Sequence, residues 1–151
     1  MLRTAPLAPV VLLVLLLLGA CGADPALAPG ERLVKLPGGR KIVAEVAMTP
    51  EAMQRGMMYR DSLAPDRGML FLHAESGRHP YWMHNCKIAL DIIWLDSAKR
   101  VVEISAATPP CQKEASECPS YGGTQPSQFV LELASGMAAQ YGLSPGVAIE
   151  F

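Results

Sequence analysis

The pattern of apolar and polar positions divides the chain into three parts. From Val10 to Leu18 every residue is apolar, and from Gly22 to Gly30 (GADPALAPG) most residues are small or proline. From about Glu31 to Phe151, short apolar runs alternate with turn residues, the spacing of a strand-rich fold. Arg32–Leu36, Gly38-Gly39 and Arg40–Met48 read as strand, hairpin turn and strand. Thr49-Pro50-Glu51 is ordered as a helix start, with a hydroxyl cap, proline at the first position and an acid in the first turn; Gly56 ends that helix. Met57–Asp66 is rich in turn residues. Strands are predicted from Gly68 through Leu72, and over Tyr81–Cys86, Leu90–Asp96, Val101–Ala106, Phe129–Leu133 and Val147–Phe151. Glu132 falls on the face opposite Phe129, Leu131 and Leu133. Glu75–His79 is expected to be a loop tip, and Ser135 the cap of a second short helix stopping at Gly142. The sum is a mainly β fold, a compact small β-sandwich or barrel with one or two short helices.

The densest stretch is Arg78–Asp96 (RHPYWMHNCKIALDIIWLD), which holds both tryptophans, two histidines and one cysteine. Within it Leu90–Leu95 is apolar on both sides of a period-two strand, the pattern of a strand covered on both faces. Asp91 is therefore expected to be at least half buried. Such a carboxylate needs a cation or several donors, since an unpaired buried charge is very costly.

The ends and totals narrow the class. Arg3, the apolar run and Leu18-Gly19-Ala20 before Cys21 make residues 1–20 a secretory signal, too short for a membrane span. The Leu-Gly-Ala-Cys ending resembles a bacterial lipobox, which implies cleavage before Cys21 and lipid on its thiol and amino group. Residues 21–30 then form the lipidated cysteine and a flexible tether, and residues 31–151 a single domain. The expected place is the cell envelope, facing the periplasm, with Gly22 favouring the outer membrane. Thirteen Lys and Arg less Arg3 leave 12 against 14 acids, a net charge of −2 on the mature chain. No basic patch interleaved with aromatics is present, so nucleic acid is not an expected partner. In an oxidising compartment Cys111 and Cys118, flanking CQKEASEC, are the natural disulfide. Closing so short a loop stabilises by at most about 2.5 kcal/mol. Cys86 is left over, either a buried inert thiol or a reactive one.

Arg55-Gly56-Met57-Met58-Tyr59-Arg60, Gly68-Met69-Leu70-Phe71, Tyr81-Trp82-Met83-His84-Asn85, Leu90-Asp91-Ile92-Ile93 and Val130–Gly136 follow one another in order. Together they resemble domain-of-unknown-function family 192, across about Ile42 to Phe151. The resemblance implies a small, mainly β domain with short helices and assigns no activity. The chain departs from the family pattern at His84, Cys86 and Ala89, where the family typically has lysine, threonine and proline.

Candidate chemistry centres on the same stretches. Asp91 with Arg60 or Arg55 could form an ion pair that either fixes the Met57–Asp66 loop or positions a polar ligand. Trp82, Trp94 and Tyr81 offer aromatic faces, to a core or to a sugar, and Asn85 a polar handle. The hypothesised site is Arg55, Arg60, Trp82, Asn85 and Asp91, taking a small polar or glycan-like ligand or a partner protein's loop. No cofactor is implied. One alternative is an enzyme with Asp91 as acid or base, assisted by Glu132 or a histidine, or with Cys86 beside His84. Another is Cu(I) handling through Met53, Met57, Met58, Met69, Met83, His73, His79, His84 and Cys86. No elbow, zinc or phosphate-loop motif marks a known reaction.

Overall fold

A computed structural model describes residues 24–151. The expected signal segment and the expected lipidation site Cys21 lie outside the described residues. Eight strands form: β1 Glu31–Lys35, β2 Lys41–Ala47, β3 Arg67–Gly77, β4 Tyr81–Trp82, β5 Leu90–Leu95, β6 Val101–Thr108, β7 Ser120–Tyr121 and β8 Ser127–Ala134. Two short helices accompany them, α1 Pro50–Arg55 and α2 Met137–Gln140. Six strands make one sheet in the order β1-β2-β3-β8-β5-β6, and β4 pairs with β7 alone. All pairs are antiparallel except β2 with β3, whose parallel pairing needs the crossover that carries α1. The fold is mainly β as the pattern predicts, and the sheet is not a closed barrel.

The sheet carries a core on each face. Leu70, Leu131 and Ile93 lie in register across β3, β8 and β5, and pack with Tyr141, Leu143 and Ile149 on one side. Phe71, Val130 and Trp94 lie in register on the other side, with Met57, Met83 and Cys86. Leu90–Leu95 is buried at every position, as a strand apolar on both sides requires.

Local chemistry explains the elements. The Thr49 hydroxyl accepts the Ala52 N–H at 3.2 Å, and Pro50 occupies the first helical position. Several expected boundaries move. β3 runs on to Gly77, through most of the expected loop tip, because β8 pairs with it as far as Gly77–Ser127. The strand expected over Tyr81–Cys86 stops at Trp82, where its short partner β7 ends. Gly136, in a left-handed conformation, rather than Ser135, precedes α2. The expected last strand is a segment bridged singly to both edges of the sheet, Glu150 to Lys35 and Ala148 to Arg100. The Cys111–Cys118 disulfide forms as expected. No helix among the described residues is long and apolar enough to cross a membrane.

Candidate functional site

Asp91 and Glu132 are both buried, on opposite faces of the sheet. Asp91 lies in the row with Gly68 and Leu133, facing α2; Glu132 lies in the row with Met69 and Ile92, facing α1. Asp91 is fully buried and its oxygens are taken: Oδ1 accepts the Ala107 N–H and Oδ2 the Ala138 N–H, each at 2.8 Å. It thus ties a left-handed bulge residue of β6 (Ala107, φ 49°) to the first turn of α2. The expected pairing of Asp91 with Arg60 or Arg55 does not form. Arg60 instead makes a bidentate pair with Glu45 of β2, at 2.6 and 2.7 Å. That bond holds the Glu45 carboxyl below its ordinary pKa and the guanidinium above its own. Strand parity decides the matter, since Asp91 projects through the face away from α1. For the same reason Asp91 has no route to a ligand beside Trp82 as acid or base.

The other expected residues do converge. After α1, Gly56 turns the chain, and the loop to Arg60 lies against the turn that follows β4. Tyr59 and Asn85 both adopt left-handed backbones, at φ 66° and 56°. They bond each other twice: the Tyr59 N–H donates to the Asn85 carbonyl at 2.8 Å, and Asn85 Nδ2 donates to the Tyr59 hydroxyl at 2.9 Å. Asn85 tolerates that conformation and Tyr59 is held in it at a cost, and their mutual bonds make a rigid seam. Asn85 is thus in a turn, so the strand parity that put it beside Tyr81 and Met83 does not apply. Above the seam opens a cleft of about 430 Å³ lined by Arg55, Tyr59, Trp82, His84 and Asn85, with Gln54 and Met58. Tyr59 is 58% and Trp82 37% exposed, among the few large apolar side chains left to solvent. A second hollow beside it holds Arg55, Arg60 and Glu45. Trp94, by contrast, is core: its Nε1–H donates to the His79 carbonyl at 2.7 Å and its ring meets the edge of Tyr81.

Beneath the cleft is a smaller cavity of about 30 Å³, sharing Gln54, Arg55, Met58, Trp82 and His84 with it. Glu132, Tyr81, Phe71, Met57 and Cys86 also line it, with Met53 and Gly56 of the α1 region. Glu132 is 4% exposed and, among the described residues, its Oε2 has no hydrogen-bond partner. Burial pushes its carboxyl up to about 8, against the pull of Arg60, so it is protonated at neutral pH. Sequence reasoning placed Glu132 on the face away from Leu131 but not in a buried site. The signal was an acid inside an apolar strand, and its cover comes from residues 46 to 79 positions earlier, from Cys86 back to Met53. Cys86 lines the same cavity with its thiol pushed up to about 12 by burial, which leaves no thiolate for nucleophilic chemistry. Met57, Met69 and Met83 are packed core. Among the described residues no group of three or more His, Cys, Asp or Glu gathers as metal ligands would.

The fold and cleft define a small, mainly β domain in which a parallel crossover roofs one face of a six-stranded sheet. Four of the five sequence motifs meet at that roof: Arg55–Arg60, Gly68–Phe71 through Phe71, Tyr81–Asn85, and Val130–Gly136 through Glu132. The chain belongs to the DUF192 family, described as "Uncharacterized ACR", whose model matches residues 33–151. Similar solved structures include these two. One is a protein of unknown function from Novosphingobium aromaticivorans DSM 12444, 31% identical, with a TM-score of 0.71, over 86% of this chain and 94% of that one. The other, from Sinorhizobium meliloti 1021, carries the provisional description of transcription regulator; it is 32% identical, with a TM-score of 0.67, over 78% of this chain and 89% of that one. Among curated proteins none matches.

Proposed function

We propose that the protein is a non-catalytic binding module, anchored by lipid at Cys21 in the cell envelope, whose cleft takes a small polar or glycan-like ligand. The observation that carries this reading is the pairing of two exposed aromatic rings, Tyr59 and Trp82, with Arg55 and Asn85 in one open cleft. Flat aromatic faces bind the apolar side of a sugar ring, while a guanidinium and an amide bond its hydroxyl groups. The Tyr59–Asn85 seam fixes that arrangement before any ligand arrives, which lowers the ordering cost of binding. A partner protein's loop would use the same surface, and its signature would be a larger footprint. The anchor rests on the residues before Gly22 and supplies the location rather than the chemistry.

The test is an NMR titration of the mature chain with soluble fragments of envelope polysaccharide. The resonances of Tyr59, Trp82 and Asn85 are expected to move together. Trp82→Ala is expected to weaken binding at least tenfold, with a melting temperature within a few degrees of wild type, since Trp82 is partly exposed. Shifts confined to other faces, or a Trp82→Ala variant that binds as wild type does, would sink the reading.

A further inference from the structure

Burying a carboxyl without a hydrogen-bond partner is costly even when it is neutral. Asp91 shows how this chain satisfies a buried acid when the fold is the purpose, with two backbone N–H groups aimed at it. Glu132 has no such arrangement, and its unpartnered oxygen belongs to a residue facing a cavity that adjoins the binding cleft. The surroundings are chemically particular. β3 and β5 present Met69, Phe71 and Ile92, all apolar. Tyr81 from β4 and Trp82 beside it bring aromatic rings, and Met57 a thioether. Of the charged groups, Arg60 is the one whose field reaches Glu132, and its charge is already balanced by Glu45. Arg55 and His84 stand where the cavity meets the cleft, and the Cys86 thiol stays neutral.

We infer that the Glu132 cavity is a subsite for a primary ammonium group, so that the ligand of the cleft is an amine such as an amino sugar. The space of about 30 Å³ fits a group of one or two water volumes, the size of an ammonium head. A carboxylate supplies its counter-charge, and aromatic faces attract a cation in a desolvated site. The inference rests on the cleft reading and adds the charge of what enters it. Glu132 enters the reaction protonated, so binding exchanges one cation for another. The ammonium arrives with its charge, the carboxyl gives its proton to solvent, and a carboxylate–ammonium pair remains. Anionic and neutral sugars of the same shape lack that exchange.

The deciding experiment uses methylammonium, which probes the cavity without needing the cleft. The Glu132 carboxyl carbon is followed by NMR across a pH titration of the mature chain. Methylammonium chloride is compared with equal concentrations of potassium chloride and of methanol. The apparent pKa of Glu132 is expected to fall by at least one unit in methylammonium alone. Methylammonium should also raise the melting temperature of the wild type but not of Glu132→Gln. An equal response to potassium chloride or methanol, or a Glu132→Gln variant stabilised as much as wild type, overturns the inference. Either result would leave the polysaccharide titration free to succeed, and failure of that titration would leave this one readable.

Discussion

Asp91 accepts two backbone N–H groups, whereas Glu132, also buried but on the other face of the sheet, has an oxygen without a partner among the described residues. Asp91→Ala leaves two backbone N–H groups without their acceptor and opens a hole between β5 and α2. A loss of about 3 kcal/mol is expected, a fall in melting temperature of about 10 °C for a domain this size, measured by calorimetry. A variant melting within two or three degrees of wild type would show that Asp91 is not the anchor its bonds describe. That Asp91 would be buried was legible from LDIIWL alone. Its partners were not, because the donors are backbone groups of Ala107 and Ala138, and no side-chain pattern announces a backbone donor. The same limit produced the mistaken pairing with Arg60. Opposite charges are visible in a sequence, but the face of the sheet from which each projects depends on pairing partners far along the chain.

At the scale of elements, most local signals held, the Ser135 cap of α2 being an exception. The Thr49-Pro50-Glu51 start, the β1–β2 hairpin and the disulfide depend on neighbours a few residues apart, and each stands as expected. Elements whose length is set by a partner strand did not, as β3 and β4 show. The β4–β7 pair matters beyond its size, because it closes over Trp94. Gly122, just past β7, has φ +55°, and a Cβ there would lie 2.3 Å from the indole ring. The ring is fully buried and pinned by its bond to the His79 carbonyl, so it cannot step aside. Gly122→Ala is therefore expected to cost about 2–3 kcal/mol. It should also change the near-ultraviolet circular dichroism of the tryptophans; an unchanged spectrum with unchanged melting would contradict the packing described. The cleft itself was partly legible. Arg55, Trp82 and Asn85 were named from their chemistry and do meet. Tyr59 was missed as a wall because its left-handed backbone, rather than its side-chain type, turns it outward.

For the molecule as a whole, the raised acid and a lowered base give the stability a shape in pH. Glu132 titrates near 4.5 when unfolded and near 8 when folded, so the folded state keeps a proton the unfolded chain has lost. Its contribution therefore falls as pH rises through that interval. His73 works the other way: burial, with the neighbouring His79, depresses it from 6.5 to about 4, so stability falls as pH drops below 6.5. The two oppose each other between 4.5 and 6.5, and only Glu132 acts from 6.5 to 8. Across that upper window the wild type is expected to lose about 1.5 kcal/mol relative to Glu132→Gln. Parallel thermal melts of the two proteins would show it, and superimposable pH profiles would refute it.

The position of β8 has a consequence for how the chain reaches this state. β8 lies between β3 and β5, yet it is the last of the eight strands to be made. Until residue 134 has emerged, β3 and β5 each lack the neighbour that joins them, and the two halves of the sheet cannot come together. A chain synthesised from its N-terminus can pair β1, β2 and β3 with one another and β5 with β6, but one edge of β3 and one of β5 stay open until β8 arrives. For such a protein the hazard of misassembly lies in the interval before β8 emerges, and a pause or truncation ahead of β8 should leave open strand edges that aggregate rather than a smaller fold.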